Sequence, residues 1–327
     1  MAERTVPDHA ILQQAAEWFA TLSDDDITEQ DQTRWRAWIN QSTEHQQAWH
    51  YVERVGQRFQ LAQQSAGTEG VGRILNSSRA ERISRRKALG GGLACMAALI
   101  SWRYTPLSAV TQQVVDSWTA DHHTATGETR QLTLADGGQL WLNTATAVDV
   151  NYNDSVRQIS LRTGEVLIQT GKDSLNRPFV VNTRQGQLRA LGTRFSVWQG
   201  EGSTLLTVYE GAVEIKTIEG RSRTLQAGEQ ALFSTSGIGQ VEKAQRSRAT
   251  WSQGLIVADN IPLRELVAEL GRYRHGYLGV DPSVAGLKVM GTYPADKPDH
   301  ALAMLEDALP IRINRLLPWW VTLEPSH

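Results

Sequence analysis

The spacing of hydrophobic positions changes character along this chain. Up to Val55 they recur at helical intervals: Ala15, Ala16, Trp18, Phe19 and Leu22 after Asp8, then Trp35, Trp38 and Ile39 in a run starting near Thr28, then Ala48, Trp49, Val52 and Val55 after Ser42. This predicts three amphipathic helices. Glu44 falls in the first turn of the third, where a carboxylate suits the positive helix end. So short a bundle buries little beyond its tryptophans, leaving an apolar groove or ridge for a partner. The competing reading makes the tryptophans plain core, since aromatic residues at helical spacing generally pack internally. From Gly56 to Arg82 the chain is rich in Gln, Ser, Gly and Arg, the composition of a flexible tether.

Beyond Trp118 the period becomes two. Leu132 and Leu134, Leu140 and Leu142, Val148 and Val150, Ile159 and Leu161, Val166 and Ile168, Phe179 and Val181, Phe195 and Val197, Leu206 and Val208, and Val213 and Ile215 alternate with polar residues. These are short, half-buried strands. Turn signals separate them at Asp136-Gly137-Gly138, Asn153-Asp154, Thr163-Gly164-Glu165, Glu210-Gly211 and Ala227-Gly228-Glu229. The pattern predicts a curled all-β unit, a sandwich or a β-helix, over 125–240. The last segment, 250–327, mixes both periods. Leu255-Ile256-Val257 reads as a strand, Asn260 as a helix cap, and Pro262 as a first helical residue before Leu263, Leu266, Val267 and Leu270, with Gly276 ending the helix. Strands at Tyr277–Asp281 and Lys288–Tyr293, a helix carrying Leu302, Leu305 and Leu309, and strands at Ile311–Ile313 and Trp319–Leu323 complete a small α+β module of βαββαβ type.

Between the helical and β regions lies an apolar run, Ala88 to Trp102, preceded by Ser84-Arg85-Arg86-Lys87. About fifteen helical residues reach roughly 22 Å, short of a ~30 Å hydrocarbon core, but Lys87 and Arg103 lengthen the span by snorkelling. Arg73, Arg79, Arg82, Arg85, Arg86 and Lys87 all precede the run, so the positive-inside rule places the amino-terminal part in the cytoplasm. The Arg85-Arg86 pair before a Gly-rich stretch also resembles a twin-arginine export signal. The expected organisation is a helical domain over 1–62, a basic tether over 63–87, a single transmembrane helix over 88–104, a linker over 105–124, the β domain and the terminal module.

Composition narrows the function. The 327 residues carry a net charge of −2, which gives no global electrostatic case for nucleic acid. Arg34 and Arg36 suit a recognition helix, but Asp24, Asp25, Asp26, Glu29 and Asp31 beside them repel phosphate. Cys95 is the one cysteine, so no internal disulfide and no thiolate metal site forms. His122-His123 lacks a third ligand at metal spacing, and no carboxylate pair is marked out for hydrolysis. No cofactor is expected.

The strand motifs carry a resemblance. Thr126-Gly127-Glu128, LTLADGGQLWLN from Leu132 to Asn143, LRTGEVLI from Leu161 to Ile168, RPFVVNT from Arg177 to Thr183, ALGTRFSV from Ala190 to Val197 and VYEGAVEI from Val208 to Ile215 are similar to the FecR family of membrane-bound sigma-factor regulators. Trp35, Trp38, His45, Ala48 and Trp49 resemble that family's cytoplasmic sigma-binding domain, and the terminal module resembles its secretin and TonB short domain. The resemblance implies a non-enzymatic, single-pass inner-membrane protein with its amino terminus in the cytoplasm and its β region in the periplasm. Its implied partners are an extracytoplasmic-function (ECF) sigma factor, the signalling domain of a TonB-dependent receptor that senses an iron chelate or siderophore, and the periplasmic and intramembrane proteases that release the cytoplasmic part. Trp18, Trp35, Trp38 and Trp49 are the sigma-binding candidates, and Leu255, Val257, Tyr277 and Val280 on the module's strands are the receptor-binding ones. Some members cleave themselves at a Gly-Thr bond, which falls here at Gly192-Thr193. Glycines 90–92 weaken the apolar helix and ease its unwinding for a protease. The alternative is an exported periplasmic β-rich binding or carbohydrate-active protein that uses Arg85 and Arg86 for delivery alone.

Overall fold

A computed structural model of the chain describes residues 7–24, 27–71, 120–190 and 192–326. The export pair Arg85-Arg86 and the run Ala88–Trp102 lie outside the described residues, as does Cys95. Among the described residues no helix is long and apolar enough to cross a membrane.

The amino-terminal part is a bundle of α1 (His9–Leu22), α2 (Glu29–Ile39) and α3 (Thr43–Val71). Asp8 caps α1 by accepting from the Ala10 amide at 2.8 Å. Thr28 and Asp31 form a reciprocal capping box at the start of α2, and those hydrogen bonds hold the Asp31 carboxyl below the usual carboxylate range. Glu44 accepts from the Asp8 amide at 3.0 Å, joining the starts of α1 and α3. Leu12, Ala15, Ala16, Trp38, Ala48, Trp49 and Val52 form the core. Helix α3 passes the expected domain end at 62 and continues to Val71, so the tether reading fails for 56–71. The Gln and Arg that helped suggest a tether are also good helix formers, and Val55 and Phe59 extend the apolar stripe by a turn.

The β region is a sandwich. Its strands are β1 (His122–His123), β2 (Arg130–Thr133), β3 (Gln139–Leu142), β4 (Ala147–Tyr152), β5 (Arg157–Gln169), β6 (Phe179–Asn182), β7 (Gly186–Ala190), β8 (Arg194–Gln199), β9 (Thr204–Glu210), β10 (Ala212–Thr217), β11 (Ser222–Gln226), β12 (Glu229–Phe233) and β13 (Glu242–Lys243). One sheet runs β11-β10-β7-β6-β5-β4-β1 and the other β2-β3-β5-β8-β9-β12-β13. They share β5, whose first half pairs with β4 and β6 and whose second half pairs with β3 and β8. The expected turn at Thr163-Gly164-Glu165 is therefore a bend inside one strand. Gly164 has φ 89°, and a side chain there would collide with Thr146, so glycine lets the strand cross from sheet to sheet without breaking. Between the sheets, Leu140, Ile159, Val166, Ile168, Phe179, Val181, Phe195, Leu206 and Ile215 form the core.

A short 3₁₀ segment, Arg246–Gln253, leads into the terminal module. The module comprises β14 (Leu255–Pro262), α4 (Leu263–Gly271), β15 (Tyr277–Val280), β16 (Lys288–Pro294), α5 (Pro298–Ala308), β17 (Ile311–Leu317) and β18 (Trp320–Pro325). It is βαββαββ, with one sheet of β14-β16 and another of β15-β18-β17. Asn260 is not a cap: it sits in β14 with φ 54°, at a register shift in the pairing with β16, and the strand runs on to Pro262. Helix α4 stops at Gly271, short of Gly276, because Arg272 and Tyr273 turn toward the sandwich. The module touches both other parts of the protein. Leu167, Trp141 and Tyr209 of the sandwich join its core, and its Trp319 and Trp320 join the core of the helical bundle.

Candidate functional site

The Gly192-Thr193 bond lies where the chain leaves β7 in one sheet and enters β8 in the other. Gly192 has φ 79°, a left-handed backbone that glycine alone adopts freely. Thr170 grips the next residue from two directions: its Oγ1 accepts from the Thr193 amide at 2.9 Å, and its amide donates to the Thr193 carbonyl at 3.1 Å. The Thr193 side chain is buried, and its Oγ1 has no hydrogen-bond partner. A buried hydroxyl without a partner is costly and rare. The turn after β9 comes so close that a side chain at Gly211 would collide with the Gly192 carbonyl and approach Thr193 Cγ2 to 2.7 Å. The site thus joins a left-handed glycine, a clamped threonine backbone and a free nucleophilic oxygen.

The sigma-binding candidates fall into two groups. Trp38 and Trp49 are buried in the bundle, Trp38 donating from Nε1 to Gln14 Oε1 at 2.8 Å. Trp18 and Trp35 are half-buried on its flank, with Trp35 against Trp49 at 5.1 Å between ring centroids. The receptor-binding candidates are also dispersed. Leu255 and Val257 line a cavity of about 110 Å³ with Glu165, Trp251 and Glu269. Val280 is half-buried in β15, whereas Tyr277 stacks on Trp320 at 4.0 Å and meets Tyr51 of α3 edge-on at 6.0 Å. Burial, with a smaller contribution from Tyr51, pushes the Tyr277 phenol up to about 12.

Two groups of residues escaped the sequence reading. One is a buried polar network between sandwich and module. The Glu165 carboxylate accepts from Asn143 Nδ2 at 2.9 Å and from Arg272 Nη2 at 2.6 Å. Arg272 also pairs with Glu269 at 2.7 Å, Tyr273 Oη donates to Asn143 Oδ1 at 2.7 Å, and Thr144 Oγ1 donates to the Arg272 carbonyl at 3.1 Å. Burial opposes the Arg272 charge, but Glu165 and Glu269 outweigh it and raise its pKa. The other is the turn Pro318-Trp319, which delivers two adjacent indoles to the helical bundle. Two adjacent tryptophans at a hairpin tip carry more apolar area than a solvent-exposed turn holds, which was itself a sign that another surface covers them.

Comparisons with known proteins agree with this architecture. The family model described as FecR protein matches residues 120–214, most of the sandwich, and a domain of unknown function, DUF4880, matches residues 13–55 of the bundle. Two crystal structures of a candidate anti-sigma factor from Parabacteroides distasonis share the fold. One aligns with TM-score 0.51 and 23% identity over 63% of this chain and 99% of its own, the other with 0.50 and 22% over 63% and 98%. No curated protein matches the chain. The resemblance carried by the strand motifs is therefore borne out: the sandwich matches the FecR family model over residues 120–214, and the helical bundle matches DUF4880 over residues 13–55.

Proposed function

We propose that the protein is an inner-membrane anti-sigma regulator. Its helical bundle holds an ECF sigma factor in the cytoplasm, and its FecR sandwich and terminal module receive a signal in the periplasm from a TonB-dependent receptor loaded with an iron chelate. The observation that carries the reading is the order of parts: a DUF4880 bundle before the basic, apolar segment 73–104, and a FecR sandwich joined to a small α+β module after it. The fold shared with a candidate anti-sigma factor adds support. Half-buried Trp18 and Trp35 offer the bundle's flank to the sigma factor, while buried Trp38 and Trp49 hold that flank in shape.

We also propose self-cleavage at Gly192-Thr193. Thr193 Oγ1 attacks the Gly192 carbonyl carbon, its proton passes to the departing Thr193 nitrogen, and the resulting ester is hydrolysed by water to a Gly192 carboxylate and a free Thr193 amine. The unpartnered hydroxyl and the left-handed glycine favour the attack, and Thr170 keeps the departing nitrogen in place.

The test of the main reading is affinity capture of ECF sigma factors with residues 1–80. Stable binding to one of them, weakened by Trp35→Ala, is expected, and retention of none defeats the anti-sigma role. For cleavage, Thr193→Ala is expected to turn two fragments on a denaturing gel into one band, and an identical pattern in both proteins sinks the acyl shift.

A further inference from the structure

Helix α3 carries a glycine at position 56, in its interior, where glycine weakens a helix relative to alanine. Nothing in the bundle requires it. The nearest bundle atom to a side chain at Gly56 is Phe19 Cζ at 3.4 Å, ordinary contact. The constraint comes from the far end of the chain: Trp319 Cζ2 lies 3.0 Å and Cη2 3.3 Å from where a Cβ would stand. The indole of Trp319 thus sits in a notch that the missing side chain of Gly56 leaves open and that any Cβ would narrow. Phe19 closes the notch edge-on, its ring centroid 5.2 Å from that of Trp319 at an interplanar angle of 81°. Tyr51, on the same helix, meets Tyr277 and Trp320 edge-on at 6.0 and 6.5 Å. Trp319 is 6% exposed and Trp320 is not exposed at all, so the turn is covered.

We infer that the Trp319-Trp320 turn is an intramolecular plug for the helical bundle, seated in the Gly56 notch and barring the adjoining aromatic face from any other partner while both ends of the chain share a compartment. This rests on the proposed function for the identity of the excluded partner, the sigma factor. The seat and a membrane between the two ends exclude each other. A chain whose carboxy-terminal part has not crossed the bilayer is therefore closed and unable to take the sigma factor, and export of the sandwich and module withdraws the plug. Sigma capture is thereby tied to correct insertion. The contact suits a reversible role because it is apolar: Phe19, Trp49, Tyr51, Tyr277, Trp319 and Trp320 meet with Leu316 and Leu317 beside them, and among the described residues no ion pair joins the two faces. Separating the two faces strands no buried charge.

The experiment uses the full chain in detergent, where both ends meet the same solvent. A photoreactive phenylalanine analogue at position 319 is expected to crosslink to segments 9–22 and 43–60, and Gly56→Leu, which fills the notch, is expected to cut the yield at least fivefold. Crosslinks that map only to the module or the sandwich overturn the plug. Sigma binding is measured on the same preparations. Gly56→Leu and Trp319→Ser are each expected to bind at least tenfold tighter than wild type, the second variant leaving the bundle sequence untouched. Equal affinity in all three overturns the occlusion. Efficient crosslinking with no sigma binding in any of them overturns the sigma reading and the occlusion with it, a result distinct from failure of the seat itself.

Discussion

The terminal module meets both neighbours through apolar contacts, but only the contact with the sandwich adds a buried polar network. Against the sandwich it buries a carboxylate, a guanidinium, an amide and a phenol in one connected network around Glu165 and Arg272. Against the helical bundle it presents an apolar face, the rings of Tyr277, Trp319 and Trp320 with Leu316 and Leu317 beside them. A buried ion pair adds little net stability but is expensive to break singly, because the remaining partner has no counter-charge. An aromatic face loses area on separation and recovers it against any other apolar surface. The contrast marks the sandwich and module as one permanent body and the bundle as a detachable part.

The sharpest way to break this comparison is Arg272→Met. It leaves Glu165 buried without its cation and is expected to cost about 3 kcal/mol, splitting one calorimetric transition into separate sandwich and module transitions. Adding Glu165→Gln is expected to recover much of the loss, and a single unchanged transition in Arg272→Met denies that the network joins the two. Trp319→Ser is expected to cost about 2 kcal/mol from lost burial, read as earlier melting of the bundle with the sandwich–module transition unmoved. Alkaline titration probes the aromatic seat. Tyr277 has its folded pKa raised from 10.0 to about 12, so the folded state holds the proton that the unfolded state releases. Its contribution is complete below pH 10 and is lost as pH rises from 10 to 12. Tryptophan fluorescence is expected to report loosening across that window, and Tyr277→Phe to reduce the step to what remains from Tyr51, whose phenol pKa is also raised by burial. The smallest effect sharpens the boundary: Thr28→Ala removes the capping box of α2 and is expected to cost about 1 kcal/mol in the bundle alone.

Much of this fold was readable from periodicity. Asp8, Thr28 and Ser42 marked the starts of the three helices, and alternation found most strands of the sandwich, because burial on one face leaves a direct imprint on sequence. Features set by distant contacts were not readable. Gly164 looks like a turn until Thr146 is known to press on it, and Asn260 looks like a cap until β14 is seen to pair through it. At the cleavage candidate the Gly-Thr motif gave the position, whereas the clamp from Thr170 comes from a residue 23 positions away. Gly56 read as the start of a tether because its reason for being glycine lies at Trp319.

The central claim is that a membrane divides the bundle from the sandwich and module. The direct measurement is a pair of compartment reporters fused after Ala80, beyond the end of α3, and after Glu324. A cytoplasmic signal is expected from the first and a periplasmic signal from the second, and both reporters active in one compartment would mean that no membrane lies between them.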